Sequence, residues 1–402
     1  MPHKTYDAIV VGARCAGAPT AMLLARQGHR VLLLDRAHFP SDTVSTHLIH
    51  PPGLAALDRW GLLSRVTAGD LPMITTYSFD LGPVILAGSP AGCGFSGSYA
   101  PRRTILDKIL VDAAVAAGAE VREGFSVEEL VNGGESAGST VTGIRGREHD
   151  SPRVTEHARV VIGADGAHSF VARTVGAASY AEKPKLQASY YTYWSGLGFD
   201  RFEAFLRPDR GFAGWPTNDG LTLLICGWPM REFEANRTDS EGEYLATVAL
   251  APTLAERIAS ATRVERFVGT AVPNYFRTPY GPGWVLVGDA GYLKDFITAQ
   301  GIQDAFQDAE LCARAVDEAL TGQRPFEEAM RNYQEARDER VREMYEFTAD
   351  FACLDPPTPE MQQVFGAIAQ QQETMDGFAR VVAGVTTPSE FFSDPALTPA
   401  AG

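Results

Sequence analysis

Short apolar runs and longer amphipathic stretches alternate along the chain. Residues 8–11 form a run rich in β-branched side chains and too short for a helix, so a buried strand is expected, ended by Gly12. Residues 16–26 carry small and apolar side chains at helical spacing, and Gly28 stands where a helix-ending glycine belongs. Residues 31–34 predict a second buried strand, closed by Asp35. Further on, residues 52–63 read as a helix with Leu54, Leu57 and Leu62 on one face. Residues 104–117 read as a longer helix ended by Gly118, with a strand directly after it. Residues 120–160 predict about three antiparallel strands with a loop over 132–139. Residues 160–162 are a buried strand leading into Asp165-Gly166.

Two stretches change character. Residues 74–89 alternate apolar and polar positions and break at Gly82-Pro83, which reads as a hairpin. Strands dominate again over 186–277, where Asp219-Gly220 is a strong hairpin signal. Within that stretch, 245–261 reads as a helix. A short apolar strand follows at 284–287, and the chain is helical from Gly301, with a long amphipathic helix over 326–351. Residues 354–402 carry Pro at intervals around one helix, 360–382, and read as a capping tail. No internal repeat is present.

The strand–turn–helix–strand unit at the start is the pattern that binds an ADP moiety. Gly12 permits the sharp turn, and Gly17 lets the helix lie close to the strand. The helix N-terminus offers free N–H groups to a pyrophosphate, next to Cys15 and Ala16. Asp35, 23 positions after Gly12 and followed by Arg36, is placed to accept from a ribose hydroxyl. The middle glycine of the motif is replaced by Arg14. That side chain either pushes the pyrophosphate outward or shifts the loop, or else it pairs with a phosphate. Cys15 reads as a small packed residue.

Bulk properties narrow the class. The 402 residues exceed one ordinary core, so two or three subdomains are expected. A net charge of −15 without a basic block argues against nucleic acid and anionic membranes. Five scattered cysteines without C-x-x-C suit a reducing compartment, and no apolar run is long enough to span a membrane. The first strand begins so close to Met1 that no signal peptide is expected, which places the protein in the cytoplasm. His47-x-x-His50 could be a metal fragment, but no third ligand stands at a suggestive spacing, so two loop histidines and no metal are expected.

Two later motifs sharpen the reading: Asp165-Gly166-x-x-Ser169 with Arg173, and Gly288-Asp289 followed by Gln300-Gly301 at a helix start. With the N-terminal glycine motif they stand in the order found in group A flavoprotein monooxygenases. Over nearly its whole length the chain resembles these p-hydroxybenzoate hydroxylase-like FAD-dependent oxidoreductases, relatives of geranylgeranyl reductases and flavin halogenases.

The resemblance implies an α/β fold. A Rossmann-like FAD-binding domain would be built from residues 1–71, 101–180 and 273–345. A β-sheet substrate domain would comprise 72–100 and 181–272, with a C-terminal helical capping segment over 346–402. It implies that Gly12, Arg14, Gly17 and Asp35 hold the ADP half of FAD, with Cys15, Ala16 and Arg36 alongside. Arg103 would contact the pyrophosphate, Asp165 and Gly166 would serve FAD and NAD(P)H, and Gly288-Asp289 the ribityl chain. The helix beginning at Gln300, Gly301 and Ile302 would face the pyrimidine edge of the flavin. The chain departs from the family pattern at Arg14, at Tyr292 (often His) and at Phe296 (often Pro).

The implied reaction is monooxygenation. NAD(P)H reduces FAD, O2 adds to give a C4a-hydroperoxide, and a hydrophobic or aromatic substrate is hydroxylated or epoxidised. Candidate pocket residues are Tyr191, Tyr193, Phe212 and Trp215. Candidate proton-handling residues are His47, Tyr191 and Tyr292. A double-bond reductase of the geranylgeranyl reductase type is the first rival, since Gly214-Trp215-Pro216 echoes a strand turn of those enzymes. A non-catalytic flavin-binding protein is the second. Halogenation is set low because W-x-W-x-I-P is absent. Substrate, O2 and a separate flavin reductase are the partner classes implied, on a monomer or homodimer.

Overall fold

The computed structural model describes residues 5–133, 140–149 and 151–397. The expected loop over 132–139 falls mostly outside them. The first sheet has a parallel core. Glu120–Arg122, Val31–Leu34, Tyr6–Val11, Val154–Gly163 and Trp284–Leu286 lie side by side in that order. Its residues are apolar on both sides because both sides are covered. Ala8 and Val10 face the helices Gly17–Arg26, Arg103–Ala116 and Gly301–Leu320, while Ile9 and Val11 face the opposite cluster with Phe125 and Ile144. Phe125–Asn132 and Val141–Glu148 form an antiparallel extension joined to Val154–Gly163.

The second sheet draws on two separated stretches. Tyr77–Asp80 pairs in parallel with Phe202–Arg207, so the hairpin Tyr77–Asp80/Ile85–Gly88 continues the antiparallel run Phe202–Arg207, Arg210–Pro216, Leu221–Pro229, Gln187–Ser195. The Asp219-Gly220 turn takes left-handed values at both residues, as a tight hairpin requires. A third, three-stranded sheet of Ser179–Lys183, Asn274–Arg277 and Tyr292–Leu293 lies outside the periodic signals, because its strands are too short to show any.

Three helix expectations change. The helix expected over 245–261 is two, Ser240–Val248 and Pro252–Ser260, because Pro252 forces Ala251 into an extended conformation. The helix expected over 360–382 is also two, Pro359–Ile368 and Gln372–Val382, broken at an extended Gln371. Pro51–Arg59 stops short of residue 63 because Gly61 takes a left-handed conformation just past its end. Elsewhere the helices match closely: Gly17–Arg26, Arg103–Ala116, Gly301–Leu320 and Phe326–Ala352. Among the described residues no helix is long and apolar enough to cross a membrane.

Candidate functional site

A cavity of about 990 Å³ runs past the carboxyl ends of the parallel strands, where open α/β sheets bind ligands. Residues from all three sequence motifs line it: Gly12, Arg14, Cys15, Ala16, Asp35 and Arg36; Asp165, Gly166 and Arg173; Gly288, Asp289, Gly301 and Ile302. Gly17 lies behind the wall. A Cβ there would stand 1.7 Å from the Gly12 carbonyl oxygen, and a Cβ on Gly12, which has φ +101°, would stand 2.4 Å from the Ala164 carbonyl oxygen. The two glycines therefore let strand, turn and helix close on one another. Asp35 accepts from the Ala13 N–H at 2.7 Å and the Ala37 N–H at 2.8 Å, which fixes its carboxylate on the cavity wall.

Arg14 is engaged by neighbouring groups of the protein. Its guanidinium pairs with Asp107 at 2.5 Å and donates to the Ser41 hydroxyl at 3.0 Å and the Asp42 carbonyl at 3.2 Å. It ties the glycine turn to Ser41, Asp42 and Asp107 while lining the cavity. Arg103 is buried and binds the other oxygen of Asp107 through Nε at 3.0 Å and Nη2 at 2.9 Å. Asp107 is thus a fully buried carboxylate held between two guanidinium groups. Cys15 lies 3.5 Å from it, and burial pushes that thiol up to about 12, so it is a packed, unreactive residue.

The other motifs divide in role. Asp165 spends both oxygens capping the short helix Phe170–Thr174, through the Ser169 hydroxyl at 2.5 Å and the Phe170 and Val171 N–H groups at 2.6 and 3.1 Å. Gly166, left-handed at φ +78°, turns the chain along the rim. Asp289 lines the cavity and its carboxylate accepts no hydrogen bond among the described residues; burial pushes it up to about 6 while Arg103 pulls it down. Gln300 does not reach the cavity. It is buried and donates to the Val382 carbonyl at 2.8 Å, tying the C-terminal helices to the start of Gly301–Leu320.

Known proteins share this fold. A family model described as FAD binding domain matches residues 5–348. The chain belongs to the FAD binding domain family. Among relatives, digeranylgeranylglycerophospholipid reductase 1 of Methanopyrus kandleri is 26% identical over 364 residues, covering 87% of this chain and 91% of that protein. The myxobacterial chondrochloren halogenase CndH shares the fold with a TM-score of 0.79 at 20% identity, covering 96% of this chain and 100% of that one. So does pqsL, described as a probable FAD-dependent monooxygenase from Pseudomonas aeruginosa, with a TM-score of 0.71 at 20% identity, covering 93% and 99%. The resemblance to group A flavoproteins therefore holds. The protein is an FAD-dependent oxidoreductase, and the reading as a non-catalytic flavin-binding protein falls away.

The cavity suits the FAD binding domain family's cofactor on its own terms. It has a glycine cradle that no Cβ could share, an unpartnered carboxylate at Asp289, and the N-terminal end of a 20-residue helix at Gly301 and Ile302. Asp289 yields a prediction. Its folded-state value lies above the ordinary carboxylate value of about 3.9, so the apoprotein should lose stability as pH rises from about 4 to about 6. Asp289→Asn should remove that loss, leaving the variant apoprotein more heat-stable than wild type near neutral pH but not near pH 4, and should retain less FAD. Equal melting temperatures at both pH values, with unchanged flavin content, would count against this role.

The proposed proton-handling residues do not form one group. Tyr191 and Tyr292 line the cavity, but His47 does not. His47 is fully buried in a left-handed conformation, with Nε2 in close contact with the Tyr193 hydroxyl and Nδ1 without a partner. Burial, then Arg103 and Arg102, hold its imidazole well below the usual range, so it is neutral. His50 instead bridges the Tyr77 hydroxyl at 2.6 Å and the Thr298 carbonyl at 3.0 Å. Among the described residues no cluster is placed to hold a metal. The Tyr292 hydroxyl has no partner, and burial raises both Tyr191 and Tyr292, which makes them donors at neutral pH.

A second, smaller pocket of about 70 Å³ adjoins the first and shares Thr46, Ile225, Phe296 and Ala299 with it. Trp215 and Phe212 both line it. The Trp215 ring stacks on Phe202 at 5.3 Å, whereas the Phe212 ring stacks on Phe205 at 5.0 Å in the cluster on the opposite sheet face with Trp228 and Tyr244. Strand alternation separates positions three apart. Tyr193 lies under the Arg102 guanidinium, 4.0 Å away, and lines neither pocket. Sequence reading passed over Gln187, which also lines the small pocket, and Asp295, whose significance depends on distant partners.

Proposed function

We propose that this protein is an FAD-dependent monooxygenase that takes electrons from NAD(P)H and uses O2 to hydroxylate or epoxidise a hydrophobic, aromatic small molecule. The observation that carries this reading is the apolar pocket set against the cofactor cavity, lined by Phe79, Phe202, Trp215, Phe296, Phe347 and Phe351. At about 70 Å³ it is about half the volume of a cavity known to take benzene, roughly 150 Å³, so a single ring would need its walls to move apart or would extend into the adjoining cavity. When bound, FAD supplies the electron transfer and oxygen activation. Gly12, Asp35 and Arg36 would cradle its ADP half, with Gly17 behind them letting the helix close on the strand. Arg103 would face the pyrophosphate and Asp289 the ribityl chain. The N-terminal end of Gly301–Leu320 would favour negative charge on the reduced ring. The apolar lining would keep water from the reacting atoms, and the Tyr191 and Tyr292 hydroxyls, both protonated, would donate to substrate oxygen.

The names of the curated relatives favour a second reading, reduction of an isolated carbon–carbon double bond. One experiment separates the two. Purified protein should carry FAD, and simple aromatic ligands should accelerate NADPH or NADH oxidation with matching O2 consumption and an oxygenated product. A product that forms equally well without oxygen would transfer the assignment to the reductase.

A further inference from the structure

At about 70 Å³ the small pocket is tight for a ring, and its walls are not held alike. The sheet wall is part of the core. Phe202 stacks on Trp215 at 5.3 Å and also packs on Tyr77 at 4.8 Å and Phe79 at 5.8 Å. Trp215 Nε1 donates to the Thr46 carbonyl at 3.1 Å. The strands that carry Phe202 and Trp215 are paired on both sides. A second wall is the turn Phe296–Thr298, pinned where Asp295 accepts from the Ile297 N–H at 3.0 Å.

The third wall comes from the C-terminal part of the chain. Phe347 and Phe351 stand one turn apart on Phe326–Ala352, are only half-buried, and pack on each other at 5.0 Å. Val382 is the last residue of Gln372–Val382. All three line the small pocket and none lines the larger cavity. The helix behind them is fastened at both ends. The Val382 carbonyl accepts from Gln300 Nε2 at 2.8 Å, and Gln372 Nε2 donates to the Ala87 carbonyl at 2.9 Å. Its buried Phe378 does not line the pocket but packs on two rings that do, Phe79 at 5.0 Å and Phe351 at 6.3 Å. With the helix held in place, trimming a side chain of this wall enlarges the pocket without unpicking the sheet. Phe351 and Val382 also lie past residue 348, where the match to the FAD binding domain family ends, so what the family shares does not fix this wall.

We infer that the C-terminal segment is the size filter of this protein, with Phe351 and Val382 limiting the small pocket to a single-ring ligand. This rests on the pocket being the aromatic site proposed above. Each apolar carbon moved from water into the pocket strengthens binding, and overfilling a packed space weakens it. The preferred ligand is therefore the largest one that this wall clears.

The test compares toluene and naphthalene binding to the FAD-loaded protein, followed by perturbation of the flavin spectrum. Wild type should bind toluene at least as tightly as naphthalene, against the order of their apolar surfaces. Phe351→Ala and Val382→Ala should each shift the ratio toward naphthalene by roughly 10-fold, the effect of about two further buried carbons. Phe365→Ala is the control. That ring packs on Phe378 at 6.0 Å in the same segment but does not line the pocket, so its loss should lower the melting temperature and leave the ratio unchanged. If Phe351→Ala fails to hold FAD, the smaller change Val382→Ala decides. A wild type that prefers naphthalene by about 10-fold, an unchanged ratio in Val382→Ala, or an equal shift in Phe365→Ala would each overturn the size filter but leave the aromatic pocket standing. Binding of neither ligand by wild type or any variant would overturn the pocket reading itself.

Discussion

Replacing Asp107 by alanine should destabilise the apoprotein by about 3–5 kcal/mol, the usual cost of leaving a buried charge without its partner. Asp107 is fully buried and holds Arg103 through two hydrogen bonds, and Arg103 is itself buried. Without that carboxylate the Arg103 guanidinium loses its hydrogen-bonded anion and keeps only the Coulombic attraction of Asp289. The Arg14 contact contributes less, because that side chain is a quarter exposed and solvent screens it. Urea denaturation of the FAD-free variant measures the loss. Adding FAD should narrow the gap to wild type, since a phosphate offers Arg103 a substitute anion. The double variant Arg103→Ala/Asp107→Ala should lose less than the sum of the single ones. A loss under about 1 kcal/mol, or a gap that FAD leaves unchanged, would contradict the central place given to this carboxylate.

The second large effect is expected at Gly17. Alanine there would set a methyl group 1.7 Å from the Gly12 carbonyl oxygen and 3.0 Å from the Ala164 Cβ. Neither the strand end nor the turn has a flexible side chain to move aside. Overpacking of this kind costs about 1–3 kcal/mol and occasionally more, and a clash with backbone belongs at the upper end. Because the displaced atoms form the floor of the cavity, flavin content should fall with stability. Gly366 is the matched control. It lies inside the helix Pro359–Ile368, and a Cβ there would meet nothing within 4 Å, so Gly366→Ala should be neutral or stabilising by up to about 1 kcal/mol. Similar effects at both sites would mean that close approach is not what Gly17 provides.

Much of this molecule could be read locally. A strand buried on both faces is a short β-branched run, and an amphipathic helix repeats every three to four residues, so the parallel core and the helices around it were visible one segment at a time. So were the three motifs that line the cavity, because each follows its own strand in the chain. The breaks at Pro252 and Gln371 were missed for a local reason too: periodicity on either side of each break hid it.

Pairing across long separations decided the rest. Whether Arg14 reaches a phosphate or anchors a loop depends on Asp107, 93 positions away. Which way the Gln187 amide is turned depends on Asp295, 108 positions away. The Phe212 ring leaves its neighbour Trp215 because the pleat puts them on opposite faces. Sequence alone determined that three stretches of this chain carry the chemistry of one nucleotide cofactor. Only the tertiary structure decided which polar atoms remain unpaired beside it, because hydrogen-bond saturation is a property of neighbours in space and not of neighbours along the chain.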